Sequence, residues 1–150
     1  MLGCFSLSDL GIKRMKRSTI LNRDLSYLVA SLGHLDEIVV SDASFPVPSN
    51  AAIIDLALMP GVPSVFDALH ALSSELMIEK MITCAEKPEA FEKLFEAERA
   101  HWQTEQGKEI SADILNYDAF KVRSEKAKAI IRTGTLKPHS SIILISGLPI

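Results

Sequence analysis

The feature that most constrains the fold is an alternation of short apolar runs with stretches whose apolar residues repeat at helical spacing. Such runs are typical of short buried strands, and the stretches between them of amphipathic helices. The predicted strands are 37–41, 53–58, 76–84, 110–115 and 141–146. The predicted helices are 22–32, one that begins after Ser64, one opened by Pro88, and 118–131, which ends at Gly134. Strands and helices that alternate in this way predict an α/β layered domain.

Capping residues indicate where two of these helices begin or end. Asn22 or Asp24 can cap the first helix, and Gly33 stands where a left-handed residue is expected just beyond its last turn. Ser64 and Asp67 have the spacing of a capping box, in which each side chain bonds the other residue's backbone N–H. We therefore expect the second helix to begin directly after Ser64.

Composition excludes several classes of partner. The chain has 150 residues and a formal net charge of -3, which fits one domain and provides no attraction to nucleic acid or to an anionic membrane. Its apolar runs are far shorter than a membrane span. The two cysteines, Cys4 and Cys84, lack metal-type spacing, and we expect a reduced, cytoplasmic setting. Residues 1–14 differ in composition from the rest of the chain. They are interpreted as an N-terminal extension to a single domain, 15–150.

The four histidines are widely spaced and carry no zinc signature, so no metal site is expected. His70 lies beside apolar residues on a helical stretch, which favours packing at a surface or an interface. His101 lies in a charged segment and is expected to face solvent. Glu98 interrupts the apolar stripe of the helix opened by Pro88, which predicts that the far end of this stripe is partly solvated.

The stretch 32–43 combines three residues suited to acid–base chemistry. His34 follows directly after a helix end, where backbone carbonyl groups favour a cation. Asp36 is near enough in sequence to accept a hydrogen bond from the imidazole and orient it. Asp42 stands at the carboxyl end of the first strand, where open α/β sheets place ligand-binding groups. Spacing alone leaves a second interpretation open, in which His34 only caps a helix and Asp42 only starts a turn.

A longer pattern around these residues resembles a known family. The run from Met15, MKRSTILNRDLSYLVASLGHLDEIVVSDASFPVP, is similar to the start of the ribose pyranase and fucose mutarotase family. The G-H-x-D element followed by D-A-x-x-P is specific when both occur in this order and spacing. The similarity continues to the closing strand through 54–58, 61–64, 119–121 and 129–134.

The resemblance implies a three-layer α/β/α sandwich with a mixed central sheet. It also implies a cytoplasmic isomerase that interconverts ring forms of free monosaccharides, without a metal or an organic cofactor. The ribose type exchanges pyranose and furanose forms, whereas the fucose type exchanges anomers. Family members form ring-shaped homo-oligomers, commonly decamers, whose pockets are completed by a neighbouring subunit.

Individual residues align with functional positions of the family. His34 aligns with the proton donor, and Asp42 with the substrate-binding aspartate. Lys121 aligns with a lysine that lines the pocket of ribose-type members. General acid–base catalysis by one imidazole is adequate for this chemistry, because sugars already open and close their rings slowly in water.

Three pocket positions depart from the ribose-type pattern. Tyr117 stands where the ribose type has histidine and the fucose type arginine. Near the end of the chain, His139 and Ser141 replace the Tyr and the Asn of the family's Tyr-x-Asn pattern. Histidine and tyrosine thus look exchanged, and a hydroxyl replaces an amide, which bears on the substrate more than on the reaction class. The N-terminal match, Lys121 and the overall chain layout favour a ribose-type isomerase. The alternatives are a fucose-type or other monosaccharide mutarotase, and a non-catalytic sugar-binding or ribose-transport accessory protein.

Overall fold

The computed structural model describes residues 15–150, and the predicted N-terminal extension, 1–14, lies outside the described residues. The helices are α1 (Arg23–Ser31), α2 (Val65–Ser73), α3 (Glu89–Gln106) and α4 (Tyr117–Ser124). The strands are β1 (Glu37–Ser41), β2 (Ile53–Asp55), β3 (Ile78–Cys84), β4 (Ser111–Leu115), β5 (Ala129–Arg132) and β6 (Ile142–Ser146). Within residues 15–150, the helices lack the combination of length and apolarity needed to cross a membrane.

The strands form one mixed sheet in the order β2-β5-β1-β6-β3-β4. β6 runs antiparallel to both of its neighbours, β1 and β3, while β1–β5, β2–β5 and β3–β4 pair in parallel. It follows that β1 to β5 all point the same way and β6 points against them. The carboxyl ends of five strands and the amino end of β6 therefore lie along one edge of the sheet, called here the carboxyl edge.

Helices cover both faces of this sheet, which confirms the predicted three-layer α/β/α sandwich. α1, α2 and α3 share one core cluster with Ile38 and Val40 of β1. Val39, between them, faces the other side, where it shares a second cluster with Phe120 of α4 and with Phe45. Alternate side chains of β1 are thus buried on opposite faces, as a strand with period two requires. Fully burying one such apolar side chain contributes about 1.5–3 kcal/mol.

The helix starts agree with the capping predictions, and one predicted helix end is wrong. The Asn22 side chain accepts from Leu25 N at 2.9 Å, so Asn22 caps α1. The capping box of Ser64 and Asp67 is present before α2. Gly33, however, is not left-handed. α1 ends on an extended Leu32, and the left-handed residue of this loop is Leu35, with a φ of 69°.

The predicted helix 118–131 is also wrong. α4 ends at Ser124, and Ala129–Arg132 forms β5, which lies inside the sheet between β1 and β2. Ile130 and Ile131 are fully buried on opposite faces of the sheet. A short apolar run covered on both sides has no alternation to mark it as a strand, and the preceding charged turns continue a helical pattern. Residues 129–132 therefore form a strand, because this position buries their side chains on both faces of the sheet.

Gly134 lies in the turn after β5, where there is no room for a side chain. Its N–H donates to Pro63 O, and its carbonyl accepts from Gly61 N, both at 2.7 Å. A Cβ at this position would lie 2.5 Å from Met59 O and 2.8 Å from Val62 O. These neighbours are backbone atoms, so a methyl group could be admitted only by moving the turn.

We expect Gly134→Ala to lower the free energy of unfolding by about 1–3 kcal/mol, because overpacking forces the backbone apart. Gly33→Ala is the matched control, since a Cβ there meets Asp36 Oδ2 at 3.6 Å, an ordinary contact distance. Urea unfolding followed by circular dichroism measures both variants. Equal unfolding midpoints for the two variants would contradict this account of the turn.

Candidate functional site

Predicted site residues from three separate parts of the chain meet at the carboxyl edge of the sheet. Asp42 follows β1 directly. Tyr117 is the first residue of α4, two positions after the end of β4. His139 and Ser141 precede β6, whose amino end lies at the same edge. The topology places these residues together, although 99 positions separate Asp42 from Ser141.

Asp42 is held by hydrogen bonds from the described residues, which leave one of its acceptor positions unfilled. It is 2% exposed, and its Oδ1 accepts from Ser44 N at 3.0 Å and from Ser44 Oγ at 2.7 Å. Its Oδ2 accepts a hydrogen bond from Ser141 Oγ at 2.9 Å. The backbone N–H of Asp42 in turn donates to Ser141 Oγ at 3.1 Å. A carboxylate has about four acceptor positions, and three of them are occupied here. The remaining position on Oδ2 suits a hydroxyl group of a ligand.

Tyr117 and His139 are in direct contact beside Asp42. Their rings meet edge to face, with centroids 4.6 Å apart and an interplanar angle of 83°. His139 has a φ of 64°, and its buried Nδ1 has no hydrogen-bond partner among the described residues, 15–150. The pKa of Tyr117 is raised, first by burial and then by the negative charge of Asp42. Lys121 places Nζ 4.9 Å from the centroid of the Tyr117 ring, within cation–π range.

Two polar residues of this edge were missed by sequence reasoning. Ser44 is one of them, through its bonds to Asp42. Glu86 is the other: its Oε2 accepts from the Cys84 thiol at 2.9 Å, and its pKa is lowered, chiefly by this bond. Glu86 lies at this edge because it follows the carboxyl end of β3 by two residues. The signal that could have found them is position, since each follows closely on the end of a strand.

His34 lies at the opposite edge of the sheet from Asp42. The loop that carries it is tied to the carboxyl end of β6, where Leu35 N donates to Ser146 O at 2.9 Å. The five residues of β1 separate the two positions and span about 16 Å at about 3.3 Å per residue. A single sugar ring cannot bridge that distance. One chain therefore does not bring the predicted proton donor and the predicted hydroxyl-binding carboxylate together.

The carboxylate beside His34 is Glu79, not Asp36 as predicted. Glu79 Oε2 lies 3.3 Å from His34 Nε2, and both side chains are partly exposed. Asp36 instead accepts from Gly33 N at 2.7 Å and from Lys128 Nζ at 3.2 Å. These bonds, the Gly33 bond first, lower the pKa of Asp36. The prediction that Asp36 orients His34 is therefore wrong, because the Asp36 carboxylate bonds the backbone N–H of Gly33 in its own loop.

The fold and this polar edge first define a class: an α/β protein with polar side chains gathered where open sheets bind small ligands. More particularly, the chain belongs to the RbsD / FucU transport protein family, whose model matches residues 15–149. A D-ribose pyranase of Aeromonas hydrophila is 44% identical over 138 residues, which is 89% of this chain and 99% of that protein. A D-ribose pyranase of Actinobacillus succinogenes is 38% identical over 138 residues, 90% of this chain and 99% of that protein.

Solved structures of the family share the fold. The structure of Bacillus subtilis RbsD complexed with D-ribose superposes with a TM-score of 0.79 at 35% identity, over 89% of this chain and 98% of that one. The fucose mutarotase of Streptococcus pneumoniae, in complex with L-fucose, has a TM-score of 0.71 at 21% identity, over 89% of this chain and 99% of that one. The second likeness shows the fold alone.

The Cys84 thiol is expected to be unreactive in the folded protein. Its side chain is 1% exposed, and burial, with the Glu86 carboxylate as a second cause, raises its pKa to about 11. The thiolate is the reactive form, so at about pH 8 alkylation should be about 100-fold slower than for an ordinary thiol. Iodoacetamide labelling of a Cys4→Ser variant, read by mass spectrometry, measures this rate. Labelling as fast as in urea-unfolded protein would contradict it.

Proposed function

We propose that this chain interconverts the β-pyranose and β-furanose forms of D-ribose. The observation that carries the proposal is the buried Asp42, which keeps one acceptor position beside Tyr117 and His139 at the ligand-binding edge. Relatives named D-ribose pyranase support it, since this chain matches 99% of their length. Buried Cys84 is compatible with a reducing compartment, and we place the activity in the cytoplasm.

The chemistry requires only proton transfer. Ring opening delivers a proton to the ring oxygen and removes one from the anomeric hydroxyl, and closure through another hydroxyl gives the other ring size. We assign the proton transfer to His34 and the binding of sugar hydroxyls to Asp42. Tyr117, Lys121 and His139 complete the polar lining, and Ser141 holds the Asp42 carboxylate. The assignment uses no metal and no organic cofactor.

The position of His34 makes a second chain part of the proposal. Because β1 separates His34 from Asp42, one subunit has to present its imidazole to the carboxyl edge of a neighbour. We therefore propose a homo-oligomer, a ring-shaped decamer, in which every site is shared between two subunits. A heterologous contact of this kind closes into a ring when the rotation between subunits permits.

The contact between Tyr117 and His139 supports the ribose-type assignment over the fucose type. The resemblance places histidine and tyrosine at these two positions in the reverse order. Because the two rings touch, with centroids 4.6 Å apart, exchanging them leaves one imidazole and one phenol in the same place. A pocket altered at one position alone would have lost one of these groups. Ser141 places a hydroxyl where the resemblance has an amide, which changes the number of hydrogen bonds that this position can offer a sugar.

We expect His34→Ala to slow the exchange of ribose ring forms by about 10²–10⁴-fold, the usual contribution of a positioned acid–base group. Saturation-transfer NMR on free ribose measures the rate, and Lys93→Ala, an exposed change on α3, is the control. The same assay with fucose and related sugars separates the mutarotase alternative. Ribose binding without faster exchange in the unaltered chain would favour the non-catalytic alternative and sink the proposal.

The sharing of sites between subunits is tested by mixing two impaired variants. His34→Ala and Asp42→Asn should each exchange ribose slowly, because each variant lacks one half of every site. Random co-assembly should restore about a quarter of the sites, since an intact site needs an unaltered His34 from one chain and an unaltered Asp42 from its neighbour. Co-expressed chains carrying distinct purification tags provide the mixed oligomer. If the mixture is no more active than either variant alone, the sharing of sites is refuted.

A further inference from the structure

Two histidines and a glutamate meet between α2 and α3, away from the carboxyl edge. His70 of α2 places Nδ1 3.5 Å from Glu98 Oε1 on α3. The rings of His70 and His101 stack, with centroids 4.3 Å apart and an interplanar angle of 20°. One potential ligand atom from each of the three residues lies within 4.8 Å of the other two. Residues that are 31 positions apart in the sequence thus share one small site.

Glu98 is buried in a way that the fold alone does not explain. Its side chain is 8% exposed, and its Oε1 makes no well-formed hydrogen bond to the part of the chain that the structure describes. The His70 nitrogen, at 3.5 Å, is beyond ordinary hydrogen-bond range. One turn further along α3, the buried Trp102 indole is near enough to favour the charged form of Glu98, although its Nε1 makes no well-formed hydrogen bond within residues 15–150. The predicted solvation of this end of the helix is therefore wrong. Burying a carboxylate is costly, and burial raises the pKa of Glu98, which His70, His101 and the Trp102 indole offset only in part.

The neighbours of His101 leave its second ring nitrogen available. Ser73 Oγ donates to His70 O at 2.6 Å, so its proton is already used. The 3.0 Å contact between Ser73 Oγ and His101 Nε2 is then a bond donated by His101. The lone pair of that imidazole resides on Nδ1. A hydrogen bond on the far side of a ligating histidine is the usual support of a metal ligand.

We propose that His70, Glu98 and His101 bind a zinc ion between α2 and α3. Two imidazoles and one carboxylate are a zinc donor set, and a fourth position is open to solvent beside the half-exposed His70. Tetrahedral bonds of about 2.0–2.1 Å place ligand atoms about 3.3–3.4 Å apart. The His70–Glu98 pair, at 3.5 Å, is already close to that spacing. The stacked imidazoles, 20° from parallel, have to rotate so that the in-plane lone pairs of both rings meet at one ion.

The ion would neutralise the buried carboxylate and join the two helices. α2 and α3 both cover the same face of the sheet, so a ligand from each helix would hold them together. The three residues take no part in the carboxyl-edge cluster. The inference is therefore independent of the proposed sugar chemistry, and neither stands or falls with the other.

Calorimetric titration of the untagged, metal-stripped chain with Zn²⁺ tests the proposal. We expect one ion per chain and at least about a 100-fold weaker affinity in His70→Gln or His101→Gln, since even supporting partners of metal ligands matter 10–100-fold. His34→Gln is the matched control, because it removes a histidine that is also paired with a partly exposed glutamate. Its zinc affinity should equal that of the unaltered chain.

Two further measurements keep the proposal falsifiable if a variant folds poorly. Co²⁺ added to the unaltered chain should give the intense visible absorption of a tetrahedral site, and Zn²⁺ should abolish it. Zinc at about 100 times its Kd should raise the Tm by about 5 °C or more. Binding that is absent, that gives only the weak spectrum of octahedral Co²⁺, or that is lost equally in His34→Gln would overturn the proposal.

Discussion

The antiparallel ladder of β6 with β1 and β3 is the interaction on which the rest of the structure depends. β6 is buried along its whole length and joins the parallel group β2-β5-β1 to the parallel pair β3-β4. Because it reverses direction between them, the other five strands end at one edge, and the residues before β6 arrive at that same edge. The bonds between Asp42 and Ser141 are a direct result of this pairing. The polar cluster is therefore a property of strand order rather than of any local motif.

Local patterns predicted much of this fold, and failed where burial was not local. β1 has the predicted limits, and the capping residues of α1 and α2 are those expected, because caps depend only on neighbours in sequence. β5 was mistaken for the end of a helix, since a strand covered on both faces carries no alternation. Glu98 was expected near solvent for a related reason. Its place in the stripe of α3 was visible, but the packing of α2 over it was not.

The candidate site divides in the same way. The position of Asp42 after a strand made a ligand-binding edge predictable from the α/β pattern alone, whereas Tyr117 was identified through the family resemblance. The gathering of His139 and Ser141 beside them was foreseen only through the family resemblance, because it depends on the direction of β6. The hydrogen-bond partner of His34 could not be predicted locally. Asp36 is closer in sequence, yet its carboxylate turns back to Gly33, and Glu79 arrives from β3.

The length of β1 has a consequence for how such a protein can be regulated. If every pocket takes its imidazole from one chain and its carboxylate from the next, an isolated subunit holds two unmatched halves of a site, one at each end of the same strand. Turnover then follows mass action in protein concentration, falling on dilution even though every chain stays folded. In that case total activity would rise more steeply than protein concentration. A ligand that favours assembly would raise activity in the same way. The separation of His34 from Asp42 by β1 would thus make the activity per chain depend on the concentration of the protein.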